Sequence, residues 1–183
     1  MNSKTFTKRF WVILSLIFTA AAFRLIPHWP NFTPIAAMAL FGGAYFGRNY
    51  LAFLVPLAAM LISDIFLGFH MSMIAVYASI SATVLLGIII SRKPRLVNIA
   101  LASIGSTILF FLVTNFAAWL GNPMYSQSFA GLLQSYTAGL IFLNDGNGIS
   151  FFMNSLVGDL FYNTVLFGAF ALATLKFPVL ARA

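Results

Sequence analysis

Continuous apolar runs dominate the chain and are separated by short breaks that contain proline, glycine or charged residues. A helix that crosses the roughly 30 Å hydrocarbon core of a bilayer needs about 20 apolar residues. The runs lack the apolar–polar alternation that is typical of half-buried strands. We therefore predict a single all-α integral membrane domain over residues 1–183, built as a bundle of six transmembrane helices. The predicted spans lie at about 11–26, 34–46, 50–69, 71–90, 96–120 and 150–175.

Two breaks between the runs are informative. Prolines at positions 27, 30 and 34 follow the first run. They exclude a regular helix there, because proline lacks an N–H donor and restricts the residue before it. Residues 121–149 mix Gly, Asn and Ser with short apolar pairs. This segment predicts a loop that carries one short interfacial or re-entrant helix.

The composition supports a membrane protein and excludes several other classes. Apolar residues make up 61% of the chain and charged residues only 7%, whereas a soluble domain carries roughly 25% charged residues. A soluble chain of this size could not bury so much apolar surface. A soluble enzyme, a nucleic-acid-binding domain and a disordered protein are therefore excluded.

Several kinds of chemistry are also not expected. The chain has no cysteine, which excludes disulfides, thiol catalysis and cysteine metal sites. No P-loop pattern is present, so we do not expect ATP hydrolysis. Two histidines and three acidic residues show no local metal-ligand spacing. We predict no cofactor, no metal site and no catalytic residues.

The basic residues predict the orientation. If the N-terminus is inside, nine of the ten Lys and Arg residues fall on the inner side and only Arg24 falls outside. This bias matches the positive-inside rule. It predicts an inner-membrane protein with both termini in the cytoplasm. The inner set is Lys4, Lys8, Arg9, Arg48, Arg92, Lys93, Arg95, Lys176 and Arg182.

A second interpretation of the N-terminus stays open. Lys8 and Arg9, the apolar stretch and Ala20–Ala22 also resemble a cleavable signal peptide. Cleavage there would leave five spans.

Ionisable residues inside the predicted spans indicate a site. Arg24, Asp64 and Asp159 all fall in the outer half of the predicted bundle, and His28 and His70 lie at the outer ends of spans one and three. An ionisable group in a span costs at least a few kcal/mol and normally faces a cavity or a partner. We expect Arg24 either to hold an anionic group or to pair with Asp159.

Neutral polar residues extend the same outer cluster. Asn115 lies near the outer end of the fifth span, and Asn163 can share a helix face with Asp159, whereas Asn154 is rotated away from it. The sequence therefore predicts a polar pocket open to the outside, above an apolar floor. We interpret it as a binding site for a small molecule.

Small residues mark one face of the second span. Ala39, Gly43 and Gly47 recur at every fourth position, which places them on one flat face. Such a face permits close contact with a neighbouring helix.

Two other functions remain open at this point. The first is a membrane scaffold or assembly subunit whose buried charges are structural. The second is an intramembrane aspartyl protease, because Asp64 and Asp159 lie on separate spans at similar depth and two carboxylates that share a proton are its requirement. Residues 156–159 match its Gly-x-Gly-Asp pattern only in part, since Leu156 occupies the first glycine position.

Three blocks resemble a family of small bacterial membrane transport proteins: residues 24–46, 63–70 and 158–168. That family is similar to the S components of energy-coupling-factor (ECF) vitamin transporters. The resemblance implies a six-helix bundle that binds a vitamin near the outer face. The vitamin would lie under the loop that joins helices one and two, here Pro27–Pro34.

The resemblance also implies further roles. It adds Asn31 and Tyr77 to the substrate-binding residues and an energising ECF module to the partners. Related S components often carry Ala-x-x-x-Ala on their first helix, where this chain has Ser15 and Thr19. The solitary cobalamin-uptake type uses a cysteine that this chain lacks, although His28 offers an imidazole to cobalt. We expect a non-enzymatic protein that takes up a small micronutrient, such as a vitamin, with corrinoids included.

Overall fold

The structure is a computed structural model that describes residues 7–69, 72–92, 94–141 and 149–181. The predicted all-α fold is confirmed in these ranges. The helices are α1 (Lys8–Phe23), α2 (Ile35–Phe46), α3 (Leu51–Leu67), α4 (Met73–Ile90), α5 (Leu96–Trp119), α6 (Phe129–Ile141) and α7 (Phe151–Lys176), followed by a 3-10 turn at Pro178–Leu180.

Helix α2 forms the centre of the bundle. It packs against α1, α3, α4, α5 and α7, and every residue from Ala36 to Ala44 is buried. Its mostly small side chains let the other helices approach from all sides, as expected of a helix that is apolar all round. Phe41 is the largest side chain of this stretch and packs edge-on against Phe167 and Phe170 of α7, at centroid distances of 5.2 and 5.9 Å.

The small-residue face of α2 contacts α4. A Cβ on Gly43 would meet the Val84 carbonyl oxygen and would stand 2.9 Å from the Gly87 Cα. Ala39 is fully buried in the same apolar cluster as Val84. Gly47 is not part of this contact, so the prediction is wrong there. Its φ is +60° where α2 ends, and no atom lies within 4 Å of its Cβ position.

Three described helices, α4, α5 and α7, are long and apolar enough to cross a membrane. The helices α2 and α3 are apolar but shorter, at 12 and 17 residues. Twelve helical residues are only about 18 Å long, so the count of six spans stays a prediction. The first predicted span is displaced by three residues, because α1 begins at Lys8 and ends at Phe23, and Arg24–Ile26 form tight turns instead.

Large apolar side chains cover the sides of the bundle. Phe66, Ile89, Leu101 and Leu172 are each more than 60% exposed. A continuous apolar surface of this kind is unusual for a soluble monomer and suits contact with lipid tails.

All but one of the described basic residues lie at one end of the bundle. At this end α1 begins and α7 ends, and the Arg9 guanidinium donates to the Ala181 carbonyl oxygen at 3.3 Å. Lys4, Lys93 and Arg182 lie outside the described residues. The remaining members of the set are Lys8, Arg48, Arg92, Arg95 and Lys176. The type of membrane and the side that this end faces stay predictions.

The short helix predicted within residues 121–149 is confirmed as α6. It packs on α5 and α7, and the Tyr136 hydroxyl donates to the Leu112 carbonyl oxygen at 3.1 Å. Its interfacial or re-entrant position stays a prediction.

Candidate functional site

A buried ion pair joins the end of α1 to the last turns of α3. The Arg24 guanidinium donates to Asp64 Oδ1 at 2.7 Å, to the Met60 carbonyl oxygen at 3.3 Å and to the Ser63 hydroxyl. The other carboxylate oxygen of Asp64 accepts from the Tyr77 hydroxyl at 2.8 Å. The two charged side chains are only 9% and 3% exposed. The pair therefore links α1, α3 and α4 at the end of the bundle opposite the basic cluster.

The predicted pairing of Arg24 with Asp159 is wrong. Because α1 packs directly against α3, the residue that follows α1 reaches the carboxylate on α3 first. Asp159 lies on α7, and both side chains line one cavity without forming an ion pair. Asp64 therefore balances the charge of Arg24.

Asp159 belongs to a second polar cluster, between α7 and α5. Its Oδ2 accepts from Thr107 Oγ1 at 2.6 Å. Ser103, Ser106 and Thr107 are fully buried and share one face of α5 through their spacings of three and four residues. Asp159 is 6% exposed and pairs with no cation among the described residues.

Asn163 extends this cluster by one helical turn. Its amide nitrogen donates to Ser103 Oγ at 3.0 Å and to the Asp159 carbonyl oxygen at 2.8 Å. Its amide oxygen is buried and accepts no hydrogen bond within the described ranges. Side-chain hydrogen bonds therefore hold α5 and α7 together below the cavity.

The loop at residues 24–34 covers this end of the bundle and is held against α7 at two points. Asn154 Nδ2 donates to the Pro30 carbonyl oxygen at 3.0 Å. A Cβ on Gly158 would stand 3.1 Å from the Phe32 Cα, so the loop backbone lies directly on the helix there.

We expect Asn154→Ala to loosen this loop. Loss of one hydrogen bond of about 1 kcal/mol raises the population of locally open states about fivefold. Hydrogen exchange of the Phe32 amide, which donates to the Trp29 carbonyl oxygen, should speed up by that factor. Ser155→Ala is the matched control, because the Ser155 hydroxyl donates to the Phe151 carbonyl oxygen of its own helix and to no loop residue in the described ranges. Equal exchange in the two variants would contradict the role of Asn154.

Two adjoining cavities are lined in part by this loop. The charged cavity has a volume of about 340 Å³, and its lining includes Arg24, Thr33, Met60, Thr83 and Asp159. The aromatic cavity has a volume of about 270 Å³, and its lining includes Phe110, Phe111, Tyr125, Phe151 and Phe152. Residues lining both are Asn31, Phe110, Thr114 and Ser155. Together the cavities are of the size typical of small-molecule sites.

The structure brings only part of the predicted set to the cavities. Arg24, Asn31 and Asp159 line the charged cavity. Asn31 adopts a left-handed φ of +62°, which Asn tolerates better than most residues. Asn31 and Asn115 line the aromatic cavity. Asp64 lines neither cavity; it lies behind Arg24.

The other predicted residues lie away from the cavities. Tyr77 binds Asp64 rather than facing a cavity, and Asn163 lies one turn below Asp159. His28 is exposed, and its Nδ1 lies 2.6 Å from the Ile26 carbonyl oxygen. His70 lies outside the described residues.

The geometry also bears on metal binding and on the protease alternative. The described ranges contain no group of three His, Asp or Glu side chains that could hold a metal ion. Asp64 accepts from Arg24 and Tyr77, whereas Asp159 accepts from Thr107. No hydrogen bond joins the two carboxylates in the described structure, so the shared-proton arrangement of an aspartyl protease is not formed there.

Residues 4–180 match one protein family, which is nearly the whole chain. The chain belongs to the DUF6580 family. This is described as a family of unknown function. No curated protein and no solved structure matches the chain. The contacts of its own side chains must therefore indicate what this member of the family does.

Sequence reasoning missed three residues that shape the site of this family member. Ser103 and Thr107 could have been found from the sequence, because polar side chains four residues apart on an apolar helix share a face. Asn154, which was predicted to point away from Asp159, donates to the Pro30 carbonyl oxygen and so holds the loop.

Proposed function

We propose that this protein binds a small water-soluble micronutrient, such as a vitamin, and carries it across the bacterial inner membrane. One observation carries the proposal: Arg24 and Asp159 line a cavity of about 340 Å³ inside a bundle of mostly apolar helices. Ionisable groups among apolar helices are costly and commonly mark a substrate pathway. A protein that served only as a scaffold would need no such cavity.

The resemblance to ECF S components supports the same function. Those proteins hold a vitamin under the loop between their first two helices, and residues of the loop at 24–34 line both cavities here. We propose that the chain adopts their six-span arrangement with both termini in the cytoplasm. The loop then acts as the lid of the site.

The cavity volumes favour a compact ligand. Volumes of about 340 and 270 Å³ suit a molecule of one or two rings better than a corrinoid. The chain also lacks the cysteine of the cobalamin-uptake type, and His28 is exposed rather than turned into a cavity.

The driving force of transport is part of the proposal. Without a P-loop, uptake would be driven by an energising module or by trapping of the ligand inside the cell. Ser15 and Thr19 are exposed on α1, at the helix where related S components carry their paired alanines. These two residues are therefore accessible to a partner module.

A scaffold remains the second candidate function, and one observation favours it. The Arg24–Asp64 pair is enclosed, and its charges are balanced within the protein. Such a pair would serve stability even if the protein bound no ligand.

A thermal-unfolding screen of the detergent-purified protein separates the two functions. The panel contains vitamins and vitamin precursors, with corrinoids included. A ligand at a hundredfold excess over its Kd stabilises the folded state by about 2.7 kcal/mol. We expect one compound to raise the Tm of the wild type and of Thr164→Ala, an exposed position on α7. The same compound should have a much smaller effect on Ser155→Phe, because Ser155 lines both cavities and a larger side chain there would fill the space that they share.

The scaffold function is supported instead if no compound shifts the Tm and Arg24→Ala is merely less stable than the wild type. If a compound does shift the Tm, uptake of that labelled compound into proteoliposomes distinguishes a transporter from a receptor that only binds.

A further inference from the structure

The charge balance of the charged cavity is incomplete. Arg24 and Asp64 neutralise each other across 2.7 Å, and the Arg24 guanidinium also donates to Ser63 and Met60. Asp159 is the third ionisable side chain of this region, and no described cation pairs with it. An ionised Asp159 therefore leaves the cavity with a net charge of −1.

The Asp159 carboxylate has unused acceptor capacity that faces the cavity. A carboxylate offers about four acceptor sites, and the described residues supply one donor, the Thr107 hydroxyl at 2.6 Å. The side chain is 6% exposed and lines the cavity wall. A buried carboxylate is normally paired with a cation or fully hydrogen-bonded, so a partner for Asp159 remains to be supplied.

The adjoining walls favour an organic cation with a flat body. Phe110 lines both cavities, and an aromatic face attracts a nearby cation. Beyond it, Phe111 and Phe152 pack edge-to-face at 5.1 Å within the lining of the aromatic cavity. A ring that enters there can make the aromatic contacts that such walls prefer.

We propose that the ligand carries a protonated or quaternary nitrogen, which Asp159 binds as its counter-ion. Thr107 is the positioning residue that orients the carboxylate, and the flat part of the ligand occupies the aromatic cavity. This inference rests on the proposed function. Arg24 alone would favour an anionic ligand, but Asp64 already neutralises Arg24, so the ligand is expected to be a cation.

Probes that share a ring and carry an amine, a hydroxyl or a carboxylate substituent test the proposal. Two series are used: benzylamine, benzyl alcohol and benzoate; and pyridoxamine, pyridoxine and 4-pyridoxate. Thermal unfolding of the full-length protein in detergent is followed at millimolar concentrations of each probe. We expect only the cationic member of a series to raise the Tm.

Asp159→Asn provides the decisive variant, since it keeps an oxygen that can accept from Thr107 but removes the charge. Its affinity for the cationic probe should fall at least about tenfold. The control is Thr164→Ala on the same helix, whose side chain is exposed and lies outside both cavities. The control should retain wild-type affinity.

The outcomes separate this inference from the function on which it rests. Binding of a neutral or anionic probe that is unaffected in Asp159→Asn would overturn the cation proposal and leave small-molecule binding intact. A response to Na⁺ over K⁺, with none to the amines, would also overturn it. If no probe binds and the vitamin screen is empty as well, both proposals fail.

Discussion

Replacing Asp64 by alanine is expected to lower the free energy of unfolding by about 3 to 5 kcal/mol. The substitution leaves the Arg24 guanidinium buried, at 9% exposure, without its counter-ion at 2.7 Å. It also removes the acceptor of the Tyr77 hydroxyl. Unfolding of the purified protein by a denaturing detergent, followed by circular dichroism, measures the loss.

Two further variants separate charge from packing. Tyr77→Phe removes one hydrogen bond to Asp64 and should cost only about 1.5 to 3 kcal/mol. The double variant Arg24→Met with Asp64→Leu replaces the pair by apolar side chains of similar size. It should recover most of the lost stability, because buried ion pairs are often no better than apolar replacements. A double variant as unstable as Asp64→Ala would show that packing, rather than an unpaired charge, causes the loss.

Adding a methyl group at Gly43 or Gly87 is expected to destabilise the protein by about 3 kcal/mol. A Cβ on Gly43 would stand 2.9 Å from the Gly87 Cα, and a Cβ on Gly87 would stand 2.8 Å from the Gly43 Cα. The atoms met are backbone atoms on both sides, so no side chain can move away. The α2–α4 contact would have to open along its length. Thermal unfolding of Gly43→Ala and Gly87→Ala checks this.

Gly105→Ala is the matched control for the glycine variants. Gly105 also lies inside an apolar helix, but the nearest atom to its Cβ position is Leu86 Cδ1, at 3.9 Å. Alanine fits there and favours the helix by up to about 1 kcal/mol. A loss at Gly105 equal to that at Gly43 would contradict close packing as the cause.

Apolar runs were sufficient to predict where the helices lie. Every predicted span overlaps one observed helix, because a run of apolar residues between proline, glycine and charged breaks permits little else. The ends were less predictable. The first span was extended to Ile26, whereas α1 ends at Phe23, since apolar Leu25 and Ile26 continue the pattern into a turn that leads to Pro27.

Partners of the buried charges could not be predicted in the same way. Arg24 has two carboxylates at a similar predicted depth, and sequence offers no means to choose between them. Because α1 packs against α3, Arg24 forms its ion pair with Asp64. Because Arg24 pairs with Asp64, Asp159 has no cationic partner among the described residues. We therefore propose a cationic ligand, whereas Arg24 alone would favour an anionic one.

The sequence by itself determined the helical class and the approximate position of each helix, because these follow from local hydropathy and from breaks along the chain. The tertiary structure decided which helices touch and therefore which groups meet. It placed α2 in the centre through its small side chains, paired Arg24 with Asp64 and left Asp159 facing a cavity. Contacts between residues far apart in the chain depend on how helix faces pack, and hydropathy along the chain does not encode that packing.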